Sequence, residues 1–264
     1  MRSRCCRERG LLFTRLLVGL DGSPQGDGAL EQAVILGHRF RSTLVVAAVR
    51  ETGESVTGMD PALLLERARF RVEAARLDVE LVLRDGAADL VLAELAESVD
   101  ASLVGRRGVR TERSGPSALG RTAASLIQLA GRCVIVCGGT PSPMRACAVA
   151  FDGHNRRALQ LAARFASVAE STVHVIHAYR NRSEGTQVLG AAEAELSLLG
   201  VQYQTHLEEG SAGEVVARVV RAIRADALFA GAHIPRGPGE RRASVASHTE
   251  EILQHTDMPV AIQP

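Results

Sequence analysis

Two doubly wound, five-stranded parallel-sheet domains in tandem are the architecture this sequence predicts, and three observations predict it. The first is an internal repeat. Strand-like Leu16–Leu20 runs into Asp21-Gly22, and Ala148–Phe151 runs into Asp152-Gly153 in the same way. Asp100–Gly105 is echoed by Asp226–Gly231, and Cys133–Val136 by Pro259–Ile262. Self-similarity on this scale means two copies of one unit. The second observation is strict alternation of short apolar runs with helix-period segments, which places a parallel sheet between helices. The third is composition. The 264 residues suffice for two cores, and with 46% hydrophobic but only 3% aromatic residues and no Trp those cores are aliphatic, as buried parallel strands require.

In the first copy the strand Leu16–Leu20 leads to a helix over Gly26–Phe40. Leu30, Ala33, Val34 and Gly37 form its buried face at i, i+3, i+4, i+7 spacing, and Ser23-Pro24 supplies the start signal. Strand Thr43–Val49 follows, then a loop rich in Gly, Ser and Thr over Glu51–Asp60, a helix over Pro61–Leu77 and strand Val79–Leu83. Asp85-Gly86 turns the chain into helix Ala87–Ser98, strand Ser102–Gly105, a polar glycine loop, helix Gly120–Ala130 and strand Cys133–Val136. The linker Gly138–Pro143 separates the copies, so the domains are read as 14–138 and 145–264. The second copy reads as strand Cys147–Phe151, helix Asn155–Val168, strand Thr172–Tyr179 and helix Glu184–Leu199. Strand Val201–Leu207, helix Gly213–Arg224, strand Ala227–Gly231, helix Val245–Gln254 and strand Val260–Gln263 complete it.

Right-handed crossovers leave few topologies for five such strands. The doubly wound one makes the first and fourth strands neighbours, with a ligand site outside their carboxyl ends at the switch point. In the first copy this brings Asp21 beside Gly105.

Composition excludes several functions. A net charge of +1 provides no field for wrapping nucleic acid or docking on an anionic membrane. All 31 basic residues are arginine, so neither a lysine-dependent phosphate loop nor a Schiff-base lysine exists. Of the five cysteines, Cys133, Cys137 and Cys147 sit in or beside apolar strands as small buried hydrophobes, and Cys5 and Cys6 lie in a charged leader. No CxxC spacing occurs, which reads as a reduced, cytoplasmic protein. That leader, Met1–Gly10, carries four arginines, and Arg15 interrupts the apolar residues behind it, so no signal peptide is expected. No apolar run reaches the length of a membrane span. Seven of the eight histidines fall in the second copy, where His154, His233 and His248 could converge, yet no zinc-binding or paired-carboxylate motif accompanies them and no metal site is expected. His174 and His177 stand three apart in one strand, on opposite faces. No nucleophile elbow or informative Cys/His pair is present, so no catalytic residue is assigned.

The residues that point to a ligand cluster behind the fourth strand. Gly105-Arg106-Arg107-Gly108 leaves it, Gly120-Arg121-Thr122 opens the next helix, and Arg110 and Arg113 lie between. Glycines there admit close backbone approach, a helix start adds partial positive charge, and arginines complement phosphate. Turn glycines, a turn-capping Asp21 and a solvated basic loop would give the same residues without any ligand.

With Asp21 ending strand one, Gly-x-x-Gly after strand four and a glycine at the following helix start, the chain resembles the universal stress proteins, and its closing segments Leu126–Val136 and Ile252–Ile262 resemble that family's too. The resemblance spans residues 14–264. It implies an adenine-nucleotide hydrolase-like fold and a stress-response protein that binds nucleotide, ATP with magnesium, without being an enzyme. It further implies packing of the two domains as an internal pseudo-dimer through their last strands, with a homodimer and an unidentified protein partner as further expectations. Carried over, Asp21 and Ala48 would line base and ribose, and Gly105, Arg107, Gly108, Gly120, Arg121 and Thr122 would surround the phosphates. The family spacing is Gly-x2-Gly-x9-Gly-(Ser/Thr). Here eleven residues separate Gly108 from Gly120, and Arg121 stands where the hydroxyl residue belongs. In the second copy Gly231, Asp152 and Ser247 persist, while Ile234 and Ala246 replace the other glycines, so that copy is expected not to bind ATP in the family manner. Two other readings stay open: a nucleotide-free protein-interaction module of the same fold, and an adenylating enzyme, which the missing Ser-Gly-Gly-x-Asp-Ser loop argues against.

Overall fold

Apolar strands of four to eight residues, each delivered into a helix by a turn, build both halves of the chain. The computed structural model describes residues 12–51, 59–108, 119–232 and 247–264, with the backbone alone for Ser247 and His248. It divides into two units, Met1–Pro141 and Ser142–Pro264.

The first unit contains β1 (Arg15–Leu20), α1 (Pro24–Phe40), β2 (Thr43–Arg50), α2 (Pro61–Ala74), β3 (Val79–Asp85), α3 (Ala88–Ala96), β4 (Ala101–Gly105), α4 (Arg121–Leu129) and β5 (Cys133–Cys137). Its strands are parallel in the order β3-β2-β1-β4-β5. The second unit contains β6 (Cys147–Ala150), α5 (Arg156–Ala169), β7 (Val173–Tyr179), α6 (Arg182–Leu199), β8 (Tyr203–Glu209), α7 (Ala212–Ala222), β9 (Ala227–Gly231), α8 (Ser247–His255) and β10 (Val260–Gln263). Its order is β10-β9-β6-β7-β8, again parallel. The first and fourth strands are neighbours in both units, so each has the expected switch point.

Local chemistry sets most element ends. Ser23 caps α1 by accepting from the Gly26 amide, Pro24 takes the first helical position, and Arg41 closes the helix in the left-handed region at φ 57°. The buried face of α1 is wider than the four expected positions. It includes Ala29, Leu36 and Phe40, and Val34 is only half-buried. Two of the shifted boundaries have a clear local cause. α2 ends at Ala74 rather than Leu77 because Arg76 turns left-handed at φ 56°. β8 starts at Tyr203 rather than Val201 because Gly200, left-handed at φ 68°, closes α6 and the first paired residue is Tyr203, opposite Val173. Each core is aliphatic and includes an aromatic pair: Phe13 on Phe40, edge to face with centroids 5.2 Å apart, and Phe165 on Phe229 at 5.4 Å.

The repeated Asp before the fourth strand is a clamp. Asp100 Oδ2 accepts from the Thr14 amide (2.6 Å), the Thr14 hydroxyl (2.7 Å) and the Arg15 amide (3.0 Å), which pins the start of β1. Asp226 Oδ1 does the same for β6, accepting from the amides of Arg145 (2.7 Å) and Ala146 (2.6 Å). One position breaks the symmetry. Ser102 in β4 is fully buried and its hydroxyl has no hydrogen-bond partner among the described residues, a local cost of about 1–3 kcal/mol, whereas the second unit has Leu228 there.

His174 and His177 do lie on opposite faces of β7, but His174 has a partner that periodicity within one strand could not reveal. Its Nδ1 is 3.0 Å from Nε2 of His206 on β8, with the rings stacked at 5.3 Å. Burial lowers the pKa of both rings; His206 lowers that of His174 further, while Glu208, itself bonded to Arg218 of α7, pulls His206 the other way. Depressed folded values mean that the unfolded chain binds more protons just below the free histidine pKa of about 6.5. Stability is therefore complete above that pH and falls as the solution is acidified. The urea midpoint of the second unit should drop between pH 7.5 and 5.5, and His206→Gln should flatten that dependence.

Candidate functional site

At the carboxyl end of β1 in the first unit the chain must turn into α1 within a few residues. Asp21 makes that turn: its Oδ1 accepts from the Ser23 amide (3.0 Å) and hydroxyl (2.6 Å), and Ser23 Oγ accepts from the Gly26 amide (3.0 Å). Gly22 supplies φ 78°. Asp152 repeats the device, its Oδ1 accepting from the amides of His154 (2.9 Å) and Asn155 (3.3 Å) beside Gly153 at φ 89°. Both strand-end acids are thus turn caps, whatever else they do.

The glycines of the motif are pinch points between backbone segments. A β-carbon on Gly105 would stand 2.9 Å from the carbonyl carbon and Cβ of Gln25, so the end of β4 passes directly under the start of α1. One on Gly120 would stand 3.1 Å from the Arg106 carbonyl oxygen and 3.4 Å from the Gly108 nitrogen. One on Gly108 would meet Asp21 Oδ2 at 2.5 Å. Gly105, Gly108, Gly120 and Asp21 are therefore brought together around the β1/β4 switch point. Several amides near them serve the protein itself: Arg106 donates to the Cys137 carbonyl (2.9 Å), Arg107 to Oε1 of Gln25 (2.7 Å), and Gly120 to the Arg106 carbonyl (2.8 Å). Gln25 is a site residue that sequence reasoning missed, since a glutamine in a first helical turn carries no distinctive signal.

Charge surrounds this junction. Arg106 is buried, and Arg107 is half-buried with its Nε out of solvent and lacking a hydrogen-bond partner among the described residues. Arg121 opens α4, whose N-cap Gly120 brings no side chain to the helix amides. Rather than filling the junction, Arg121 is 69% exposed and reaches towards Glu51, with Nη2 3.7 Å from Oε1. That same oxygen accepts from the Ala88 amide at the start of α3 (3.2 Å), a second residue the sequence did not single out. Thr122 is half-buried in the first turn of α4, and Ala48 is buried in β2 between Leu20 and Leu83 in register. Arg110 and Arg113 lie outside the described residues.

In the second unit Asn155 packs against the end of β9. Asn155 caps α5 by accepting from the Ala158 amide (3.1 Å) and donates its Nδ2 to the Gln263 carbonyl (2.8 Å). A β-carbon on Gly231 would stand 2.3 Å from the Asn155 Cβ, so this side chain lies tight against the end of β9. His233, Ile234, Ala246 and the side chains of Ser247 and His248 are outside the described residues. Among the described residues no group of three His, Cys, Asp or Glu side chains is arranged to hold a metal ion. Burial pushes the thiols of Cys133 and Cys137 up to about 12, with Arg106 pulling Cys137 back slightly, so neither is a nucleophile at neutral pH. No helix among the described residues is long and apolar enough to cross a membrane.

A doubly wound parallel sheet whose first and fourth strands are neighbours, with an acid at the end of the first strand, defines a class of α/β domain that is present here twice. The Universal stress protein family matches residues 12–137 and again 145–264, and the chain belongs to that family. A universal stress protein from Archaeoglobus fulgidus DSM 4304 shares the fold at a TM-score of 0.75 with 18% identity, over 96% of each chain. A functionally unknown protein from Pseudomonas aeruginosa PAO1 does so at 0.72 with 17% identity, over 95% of this chain and 92% of its own. No curated protein sequence matches the chain.

Proposed function

We propose that the protein is a nucleotide-responsive stress protein whose first unit binds ATP at the β1/β4 switch point and whose second unit has a structural or regulatory role. The observation that carries this reading is the convergence of Asp21, Gly108 and the start of α4 at one strand end, ringed by Arg106, Arg107 and Arg121. The junction suits the ligand in two respects. The buried Nε of Arg107 has no acceptor among the described residues, and a phosphate oxygen would provide one. Gly108 brings no side chain into the space beside the Asp21 carboxylate. Asp21 and the neighbourhood of Ala48 would receive ribose and base, and the start of α4, with Gly120, Arg121 and Thr122, would receive phosphate. Magnesium would travel with the triphosphate, held chiefly by phosphate oxygens and water. No residue in the ring is placed as a general base, so the reading is binding rather than turnover, in the cytoplasm and with a protein partner downstream.

Isothermal titration of magnesium-ATP into nucleotide-stripped protein tests it. The expected result is saturable binding of one ATP per chain. Two equivalent sites would contradict the structural or regulatory role given to the second unit. The competing reading, a nucleotide-free interaction module, draws on the amides of Arg106, Arg107 and Gly120 being taken by protein acceptors, and absence of any binding heat would select it.

A further inference from the structure

We propose that Arg121 and Glu51 form a charge latch across the nucleotide site, in which the Arg121 guanidinium exchanges the Glu51 carboxylate for the phosphate chain of a bound nucleotide. The inference rests on the nucleotide reading above and deepens it, because it makes Arg121 the residue through which the site measures phosphate charge.

Topology supplies the first part of the argument. Strand β1 lies between β2 and β4. Glu51 follows directly on β2, whereas the start of α4 is tied to the exit of β4 by the Gly120 amide on the Arg106 carbonyl. An ion pair from Arg121 to Glu51 therefore spans the carboxyl end of β1, where Asp21 stands. A ligand at the switch point must lie beneath or displace that bridge.

Chemistry supplies the second part. At 3.7 Å, with Arg121 69% exposed, the pair is a loose one, and such exposed pairs are weakly held. A phosphate chain offers the planar guanidinium paired, charge-assisted hydrogen bonds instead. Glu51 loses little when Arg121 leaves, because its Oε1 keeps the Ala88 amide. An arginine in place of a hydroxyl residue thus ties affinity to phosphate charge, and Glu51 sets a threshold against weakly charged ligands.

Titration of ATP, and of adenosine as the phosphate-free control, into the wild type, Arg121→Gln, Glu51→Gln and the double variant tests the latch. Glutamine at 51 keeps an acceptor for the Ala88 amide and removes only the charge. Arg121→Gln should weaken ATP about tenfold, and Glu51→Gln should tighten it about threefold, with adenosine unmoved in both. In the Arg121→Gln background, Glu51→Gln should lose most of its effect, since the Arg121 guanidinium it frees is gone. Wild-type ATP binding that Arg121→Gln leaves unchanged overturns the latch and spares the nucleotide site. So does a Glu51→Gln effect that persists undiminished in the double variant, which would mark a through-space charge effect. Absence of ATP binding in all four proteins removes the nucleotide reading and the latch with it.

Discussion

Replacing Asp100 by alanine should cost about 2 kcal/mol of stability in the first unit, because three donors lose one acceptor at once. The Thr14 and Arg15 amides sit where β1 enters the sheet, and β1 is the central strand of its unit. Water can reach part of this clamp, which keeps the loss below that of a wholly buried network. Burial alone would raise the Asp100 pKa, but the hydrogen bonds from Thr14 and Arg15, helped by the charge of Arg132, hold it below the ordinary value. A depressed carboxylate stabilises the fold above its unfolded pKa of about 3.9 and loses that contribution as pH falls through the folded value. Asp100→Asn should therefore retain part of the clamp through its amide oxygen while removing this acid dependence. The repeat provides a control, since Asp226→Ala should lower the second unit's transition and leave the first unchanged. Urea unfolding at pH 7 and pH 3.5, followed by a probe in each unit, measures both. An Asp100→Ala protein as stable as wild type would show that these short bonds are replaced by water at no cost.

The clamp also shows what was legible in the sequence. Asp100 and Asp226 were visible as an echo, but echo alone does not separate a strand clamp from a site residue, because both demand the same acid in the same place. Element types were legible because aliphatic strands and helix-period faces differ in period, and most ends followed from a cap such as Ser23 or a left-handed residue such as Gly200. What escaped was contact between distant segments. Gln25 under Gly105, Asn155 against Gly231, and His206 beside His174 each pair residues on different elements, and no local pattern records them. Arg121 was legible as a departure from the family spacing, whereas its direction, across to Glu51, depends on where β2 ends relative to α4.

Gly108→Asp should abolish nucleotide binding, lowering ATP affinity by a hundredfold or more, while the protein remains folded. The argument is steric and electrostatic together. A β-carbon at 108 falls 2.5 Å from Asp21 Oδ2, and that carboxylate cannot simply swing away, because its Oδ1 is held by the Ser23 amide and hydroxyl. The new carboxylate would also bring a second negative charge to the strand end assigned to phosphate, where like charges a few ångströms apart repel by several kcal/mol at a protein surface. Stability should fall too, by about 2 kcal/mol, since Asp21 must yield to the new side chain, but Gly108 is half-exposed and no backbone is met, so the fold survives. Gly105→Ala makes the contrasting case: its β-carbon meets the Gln25 backbone at 2.9 Å, so the helix start itself must move and stability should suffer more than binding. Gly139→Asp adds a carboxylate with no atom within 4 Å of its β-carbon and should leave both properties at wild-type values. Titration calorimetry beside urea unfolding separates the three. If Gly108→Asp binds ATP as wild type does, the phosphate end of the ligand lies away from this glycine, and the site must be sought elsewhere on the strand ends.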